Sequence, residues 1–337
     1  MRVLIKGAGV AGLVAAHELA RRGAHVTVAE AGADVGAGAS GCAGAMLAPC
    51  CERESAEEAV ERLGRHAVAW WQAVLPGAVS VTGTLVVAPA RDAAEIDRFA
   101  ARTGGHAMLD GDAIAALEPD LAGRFRRGLL FAGEGHLDPR AAMRHLRLVL
   151  ADMGVDFLFA TDAGRLRRDG FDEIVDCTGI ARAPRDPELR GVRGEMMLLR
   201  SADVTLSRPV RLLHPRIPVY VVPREGGTFM LGATMIEADA AGPITARSMM
   251  ELLNAAYALH PAFGEAEILE TGVGIRPAYA DNLPRVFRDR GEIVINGLYR
   301  HGFLLSPWTA RRAADLALGT GEETESDHEA DRERSIA

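Results

Sequence analysis

The residues with the clearest chemical meaning are three glycines and a glutamate within the first 30 positions. Gly7, Gly9 and Gly12 form a G-x-G-x-x-G pattern. In a strand–turn–helix unit, such glycines permit a tight turn, a close approach of the backbone to a pyrophosphate, and close helix–strand packing. Glu30 follows about 20 residues further on, where a carboxylate can accept hydrogen bonds from a ribose. These four residues predict a dinucleotide site but do not decide between NAD and FAD.

A run of small residues over 36–49 favours FAD over NAD. Small side chains let the backbone lie against an extended ligand, and Ser40 adds a hydroxyl. The run could instead be a flexible linker, but flexible linkers are usually rich in glycine and serine alone. Its apolar end, Met46-Leu47-Ala48, therefore supports a cofactor-binding segment.

Two arginines have the chemistry to hold an anionic substrate. Arg276 precedes Pro277 at the end of a glycine-containing apolar segment, and a guanidinium can bind a carboxylate through two parallel hydrogen bonds. Arg300 lies in a loop between Gly297 and Gly302, where backbone amides could approach a flavin ring. Exposed surface arginines are the alternative at both positions. We expect Arg276 to be the carboxylate clamp and Arg300 to be a second cation.

If the anionic substrate is an amino acid, removal of a hydride from its α-carbon needs a fixed carboxylate and a neutral amine. The flavin carries the difficult chemistry, so the protein mainly supplies position. No protein base is strictly required for hydride transfer to flavin N5. His301 and His214 are therefore not assigned as bases.

The elements that must position these residues follow from the hydrophobic pattern. Residues 3–5 suit a buried parallel strand, a helix is predicted over about 10–22, and 26–29 suit a second strand. Further elements are a helix over about 140–152, which begins at Asp138-Pro139, and a buried strand entering a tight turn at 174–179. Alternating strands between about 192 and 275 predict a mixed or antiparallel sheet.

Several segments, taken together, resemble the D-amino acid oxidase-like FAD oxidoreductases, and within them the glycine oxidases of thiamine biosynthesis. Their order and spacing along the chain match that family. The segments are the N-terminal fingerprint through Glu30, the small-residue run ending at Pro49, and residues 135–140, 220–224, 232–235, 274–277 and 299–307.

The resemblance implies an α/β fold with a Rossmann-like FAD-binding domain assembled from discontinuous segments. An inserted α+β substrate domain, with a mixed or antiparallel sheet, interrupts it. We expect the FAD-binding domain over 1–50, 136–190 and 272–318, and the substrate domain over 51–135 and 191–271. Residues 319–337 contain seven acidic residues and are predicted to be a disordered tail.

The resemblance also assigns site residues. Tyr220 is expected to support the substrate carboxylate beside Arg276 and Arg300, and Met235 to form an apolar pocket wall, although a core methionine is an alternative.

The four cysteines (Cys42, Cys50, Cys51 and Cys177) lack metal-ligand spacing, so no metal site is predicted. The expected cofactor-binding residues are Gly7, Gly9, Val10, Ala11, Gly12, Glu30, Ala31, Ala39, Ser40, Ala43, Gly44, Ala45, Met46, Thr178, Gly179, Leu298, Tyr299, His301, Gly302, Phe303 and Leu304.

The expected activity is oxidative deamination of a small amino acid by FAD and O2, most simply of glycine, in support of thiazole synthesis for thiamine. A D-amino acid oxidase or dehydrogenase is the nearest alternative. A flavin hydroxylase and an FAD-binding protein without turnover are more distant ones. The net charge of −8 argues against a nucleic-acid partner, and no run of about 18 uncharged apolar residues predicts a membrane span. We expect a cytoplasmic protein, and the resemblance suggests a homo-oligomer.

Overall fold

The computed structural model describes residues 1–166, 168–213 and 218–320. Apart from positions 319 and 320, the predicted disordered tail lies outside the described residues, and so does His214. Among the described residues, no helix is long and apolar enough to cross a membrane.

A six-stranded sheet, built from N-terminal, central and C-terminal segments of the chain, forms the first layer. Its strands are parallel except for the antiparallel pair Arg285–Asp289 and Glu292–Asn296 at one edge. Val3 and Ile5 are fully buried, because helices cover a parallel sheet on its faces. In spatial order the strands are Arg285–Asp289, Glu292–Asn296, Glu173–Asp176, Arg2–Lys6, His25–Ala29 and Asp156–Leu158.

Helix Val10–Arg21 packs against helix Gly302–Leu318 beside this sheet. Both helices contribute small buried residues, including Ala15, Ala16 and Ala313, so their backbones can approach closely. The first helix ends one residue earlier than the sequence predicts, and Gly23, two residues beyond its end, takes a positive φ of 87°. The N-termini of both helices face the same region of the molecule, since Val10 and Gly302 line one cavity.

A nine-stranded sheet forms the second layer. Its pairs are antiparallel apart from Thr84–Val87 with Val210–Leu212, which run parallel, so the sheet is mixed. Arg190–Arg200 pairs along its whole length with Glu267–Ala278. The nine strands are Thr84–Val87, Ala107–Asp110, Arg127–Phe131, Arg190–Arg200, Val210–Leu212, Val219–Arg224, Thr228–Gly232, Ile236–Glu237 and Glu267–Ala278. The predicted fold class, including its mixed sheet, is confirmed.

The remaining elements connect or cover the two large sheets. Met46–Leu47 and Gly135–His136 form a two-stranded antiparallel sheet. The other α-helices among the described residues are Pro49–Glu52, Glu58–Gly64, Ala67–Val74, Ala94–Arg102, Gly111–Leu117, Pro139–Asp152 and Ala246–Leu259. The division of the chain into domains stays a prediction, and strand Glu267–Ala278 runs through its boundary at 272.

Candidate active site

A cavity of about 690 Å³ is lined by residues from both large sheets. The loops that follow strands Arg2–Lys6, Glu173–Asp176 and Glu292–Asn296 open into it. In open α/β sheets, ligands bind at such carboxyl ends of parallel strands. One face of the nine-stranded sheet supplies the opposite wall, through Tyr220 and Arg276.

The glycine motif makes the tight turn at one end of this cavity. Gly7 has a φ of 97°, and a Cβ on it would lie 2.7 Å from the carbonyl oxygen of Cys177. A Cβ on Gly12 would lie 1.9 Å from the carbonyl oxygen of Gly7. Gly12 does not line the cavity; its role is to let the helix pack against the turn. The other predicted cofactor residues all line the cavity.

Glu30 and Ser40 are held by the backbone of the same motif. The two carboxylate oxygens of Glu30 accept hydrogen bonds from the amides of Ala8 and Gly32, each at 2.7 Å. Ser40 Oγ accepts from the amide of Val10 at 3.1 Å. A carboxylate oxygen has two lone pairs, so Glu30 can still accept from ribose hydroxyls. The Ser40 hydroxyl likewise retains its proton for donation.

The turn after strand Glu173–Asp176 closes over the middle of the cavity. Asp176 accepts hydrogen bonds from the amide and the hydroxyl of Thr178, at 3.0 and 2.6 Å. Its second oxygen pairs with buried Arg182 at 2.7 Å. These contacts fix Thr178 and Gly179 at the cavity wall. Backbone turns, small residues and two helix N-termini therefore surround a space suited to FAD.

Arg276 projects from strand Glu267–Ala278 over a glycine of the neighbouring strand. Arg276 pairs with Val192, and Gly274 pairs with Gly194, so Gly194 is the diagonal neighbour of Arg276 on the same face of the sheet. A Cβ on Gly194 would lie 2.2 Å from Arg276 Nη2. Nη1 donates to the carbonyl of Thr234 at 3.0 Å. Burial, together with nearby Arg300, lowers the pKa of Arg276 to about 10, which leaves it charged at neutral pH.

Glu52 lies at the centre of a polar cluster in the cavity wall. Its Oε1 accepts a hydrogen bond from the Tyr220 hydroxyl at 2.5 Å, and its Oε2 pairs with Arg300 Nη2 at 2.7 Å. Burial would raise the pKa of this carboxyl, but the charge of Arg300 and the Tyr220 hydrogen bond help to lower it to about 2. Glu52 is therefore an anion that neutralises Arg300. The predicted substrate contacts Tyr220 and Arg300 are both held by Glu52.

A third arginine, Arg211, extends the cluster along the nine-stranded sheet. Arg211 is the cross-strand neighbour of Tyr220, and its guanidinium lies 5.1 Å from the centre of that ring and 5.0 Å from the ring of Phe99. It pairs with Glu54 at 3.1 Å. This arginine is 1% exposed, so its charge is compensated by a carboxylate and by two aromatic faces.

The loop before helix Gly302–Leu318 brings Tyr299 and His301 to the cavity, where Met235 from another loop also lies. Tyr299 has a φ of 50°, and its hydroxyl lies 3.4 Å from Met235 Sδ. Met235 is 47% exposed, so it is a wall residue of the cavity rather than a core methionine. His301 Nδ1 lies 3.5 Å from Glu52 Oε2. Burial lowers the pKa of His301 to about 4, so its imidazole is neutral at neutral pH.

The fold and the cavity together define a flavin-dependent oxidoreductase. The family model described as FAD dependent oxidoreductase (DAO) matches residues 2–316, and the chain belongs to this family. It is 60% identical over 318 residues to a Rhizobium etli protein named as a thiamine biosynthesis oxidoreductase, ThiO, with 94% of this chain and 97% of that protein covered. These findings confirm the predicted family, the enzyme class and the FAD cofactor.

Glycine oxidases are among the more distant relatives. The glycine oxidase of Geobacillus kaustophilus is 27% identical over 364 residues, covering 93% of this chain and 92% of that enzyme. A crystal structure of glycine oxidase from the same organism matches with a TM-score of 0.81 at 25% identity, covering 96% of each chain.

Sequence reasoning missed several residues of the cavity wall. Glu52 and Arg211 are separated from their partners by long stretches of chain, and no local pattern marks them. Gly194 could be found only from the register of its strand with Glu267–Ala278. Residues 161–164 also line the cavity, where the sequence offers only a short irregular stretch.

Proposed function

We propose that the enzyme oxidises glycine, or a similarly small amino acid, at its α-carbon, with O2 as the final electron acceptor. Glycine and O2 would give iminoglycine and H2O2. Bound FAD would accept the hydride from the α-carbon. The nearest alternative is a D-amino acid as the substrate, or a different electron acceptor.

The charge balance of the cavity wall carries this proposal. Three arginines lie at the end formed by the nine-stranded sheet, and two of them are paired with carboxylates: Arg211 with Glu54 and Arg300 with Glu52. Arg276 has no carboxylate partner among the described residues, and its one hydrogen bond there goes to a backbone carbonyl. A single uncompensated cation suits a substrate with a single carboxylate, which it can hold through two parallel hydrogen bonds.

The remaining residues of the cluster would position the substrate. Glu52 keeps Arg300 and the Tyr220 hydroxyl in place, so the wall beside Arg276 is preformed. Met235 would limit the space beside the α-carbon. The relatives named as glycine oxidase and as a thiamine biosynthesis oxidoreductase support glycine as the substrate. They also support a role for the imine in making the thiazole half of thiamine.

Anaerobic reduction by substrate tests this function directly. Glycine added to the yellow enzyme without oxygen should bleach the visible flavin band, and air should restore the band with formation of H2O2. Bleaching by D-alanine but not by glycine would show that the substrate is a D-amino acid and not glycine. Bleaching by glycine with little reoxidation by air would indicate a dehydrogenase instead of an oxidase. Bleaching by NADPH alone would indicate a hydroxylase.

Arg276→Ala tests the proposed carboxylate clamp. We expect its KM for glycine to rise by about 10- to 150-fold, the equivalent of a lost charge-assisted hydrogen bond of about 1.5–3 kcal/mol, with FAD still bound. Exposed Arg126 provides the control, because Arg126→Gln removes a similar charge at a residue that does not line the cavity. An unchanged KM in Arg276→Ala would refute the assignment of the clamp.

A further inference from the structure

Met235 places a thioether where small molecules in the cavity can reach it. Its side chain is 47% exposed although it belongs to the cavity wall. Met230 also lines the cavity but is only 4% exposed. Two hydrogen-bond donors, the Tyr299 hydroxyl and Arg300 Nη1, each lie 3.4 Å from Met235 Sδ.

We propose that Met235 is a modification site, oxidised to the sulfoxide by H2O2 that the enzyme itself forms. This inference rests on the proposed function, because that reaction supplies the oxidant. A lone pair of Sδ attacks one oxygen of H2O2, an S–O bond forms, and the O–O bond breaks. The departing hydroxide takes up the proton that the sulfur-bound oxygen loses, and it leaves as water. Sulfur loses two electrons and the peroxide gains two, so that thioether and H2O2 give sulfoxide and water.

The two donors favour this step over oxidation of a methionine elsewhere on the surface. Negative charge develops on the departing oxygen, and prepositioned donors stabilise such charge. The Tyr299 hydroxyl and the Arg300 guanidinium lie beside the sulfur, so a peroxide that reacts there would be next to both donors. A thioether is only a weak acceptor, whereas the sulfoxide oxygen is polar. The same donors therefore stabilise the oxidised product.

Oxidation at this position changes the site that binds the substrate. It converts a flexible apolar side chain into a polar, chiral one. Arg300 Nη2 now pairs with Glu52 at 2.7 Å and donates to Ser55 Oγ at 2.6 Å. A sulfoxide that draws Arg300 toward itself weakens these contacts, and with them the support that Glu52 gives to Tyr220. Turnover would thus lower the enzyme's own activity, and methionine sulfoxide reductases could restore it.

The test compares peroxide made inside the cavity with peroxide added from outside. The FAD-loaded enzyme turns over glycine in air with excess catalase, which destroys peroxide that has left the protein. Peptide mass spectrometry then follows the sulfoxide at Met235 and at Met250. Met250 is 59% exposed on helix Ala246–Leu259 and does not line the cavity. In a second arm, reagent H2O2 is added without glycine and without catalase.

During turnover we expect Met235 sulfoxide to accumulate with the number of cycles while Met250 stays reduced. Reagent H2O2 should oxidise Met250 as well. Activity at low glycine should fall in proportion to Met235 sulfoxide and return after treatment with the reductases. Met235→Leu, whatever its starting rate, should lose that rate more slowly per cycle than the wild-type enzyme.

Two results would overturn the inference. One is peroxide formation with Met235 still reduced after activity has decayed, and the other is an equal ratio of Met235 to Met250 sulfoxide in both arms. A peroxidase-coupled assay on fresh enzyme separates these results from failure of the proposed function, in which glycine yields no H2O2 at all.

Discussion

A methyl group at position 194 tests whether the placement of Arg276 matters for substrate binding. In Gly194→Ala, the new Cβ would lie 2.2 Å from Nη2, 2.3 Å from Cζ and 2.6 Å from Nη1 of Arg276. All three are far below ordinary contact, which begins near 3.5 Å for carbon atoms. The strand Arg190–Arg200 pairs along its whole length with Glu267–Ala278 and resists movement, so the guanidinium has to withdraw by roughly 1.2 Å.

A displacement of the Arg276 guanidinium by this distance should weaken substrate binding strongly. A misplacement of about 1 Å can reduce activity by about 100-fold, and a lost charge-assisted hydrogen bond costs about 1.5–3 kcal/mol. The carboxylate is held alike in the bound substrate and in the transition state, so the loss should appear mainly in KM. We expect KM for glycine to rise by about 10- to 150-fold in Gly194→Ala, with a smaller change in kcat.

Steady-state oxygen uptake measures both constants, and the flavin absorbance shows whether FAD is still bound. Gly133→Ala is the matched control, because no atom lies within 4 Å of a Cβ at Gly133. The same Gly194→Ala change in an Arg276→Ala background should have little further effect on KM, since no guanidinium remains to be displaced. A KM for glycine within twofold of the wild-type value in Gly194→Ala would refute this account of Arg276.

Three more predictions concern charge, packing and pH. Glu52→Gln leaves Arg300 without its counter-ion, so Arg300 can bind the second carboxylate of D-aspartate. The kcat/KM for D-aspartate should therefore rise relative to that for glycine, by about tenfold for a gain of about 1.4 kcal/mol. An unchanged ratio of the two kcat/KM values, measured by oxygen uptake, would contradict this. Gly12→Ala forces the first helix away from the Gly7 carbonyl and should reduce the FAD content of the purified protein, whereas full flavin absorbance would show that the packing is tolerant. Burial raises the pKa of Glu134 from 4.5 to about 8, so the folded state keeps a proton that the unfolded chain loses. Stability should therefore fall as pH rises from about 4.5 to 8, by up to about 1.4 kcal/mol per pH unit from this group. Glu134→Gln should reduce that slope in urea unfolding, and equal slopes would argue against a neutral Glu134.

The cofactor end of the cavity could be predicted from sequence because its determinants are local. The turn at Gly7 and the packing at Gly12 follow from the spacing of residues within one strand–turn–helix unit. The small-residue run that carries Ser40 is likewise contiguous. In both cases the backbone makes a close approach that only small side chains permit, so residue type alone carries the information.

The substrate end could be predicted only in part, since its determinants join distant segments. Arg276 and Arg300 have suitable chemistry, and Tyr220 follows from the family resemblance, but the sequence does not identify their partners. Glu52 lies 248 residues before Arg300, and nothing near position 52 marks it as a counter-ion. Its place in the cavity depends on how helix Pro49–Glu52 meets strand Val219–Arg224. Charge pairing in a tertiary structure is therefore the part that sequence patterns leave undetermined.

The charge pairs explain why a cavity wall that carries Arg211, Arg276 and Arg300 can select a small monoanion. A buried charge is costly unless it is paired, and Glu54 and Glu52 meet that cost for Arg211 and Arg300. Arg276 has no carboxylate within ion-pair distance among the described residues, and burial opposes its charge, as the lowered pKa shows. A substrate carboxylate would compensate that charge without breaking an existing ion pair. Binding of one carboxylate is thus favoured, while a second would find the other two arginines already neutralised.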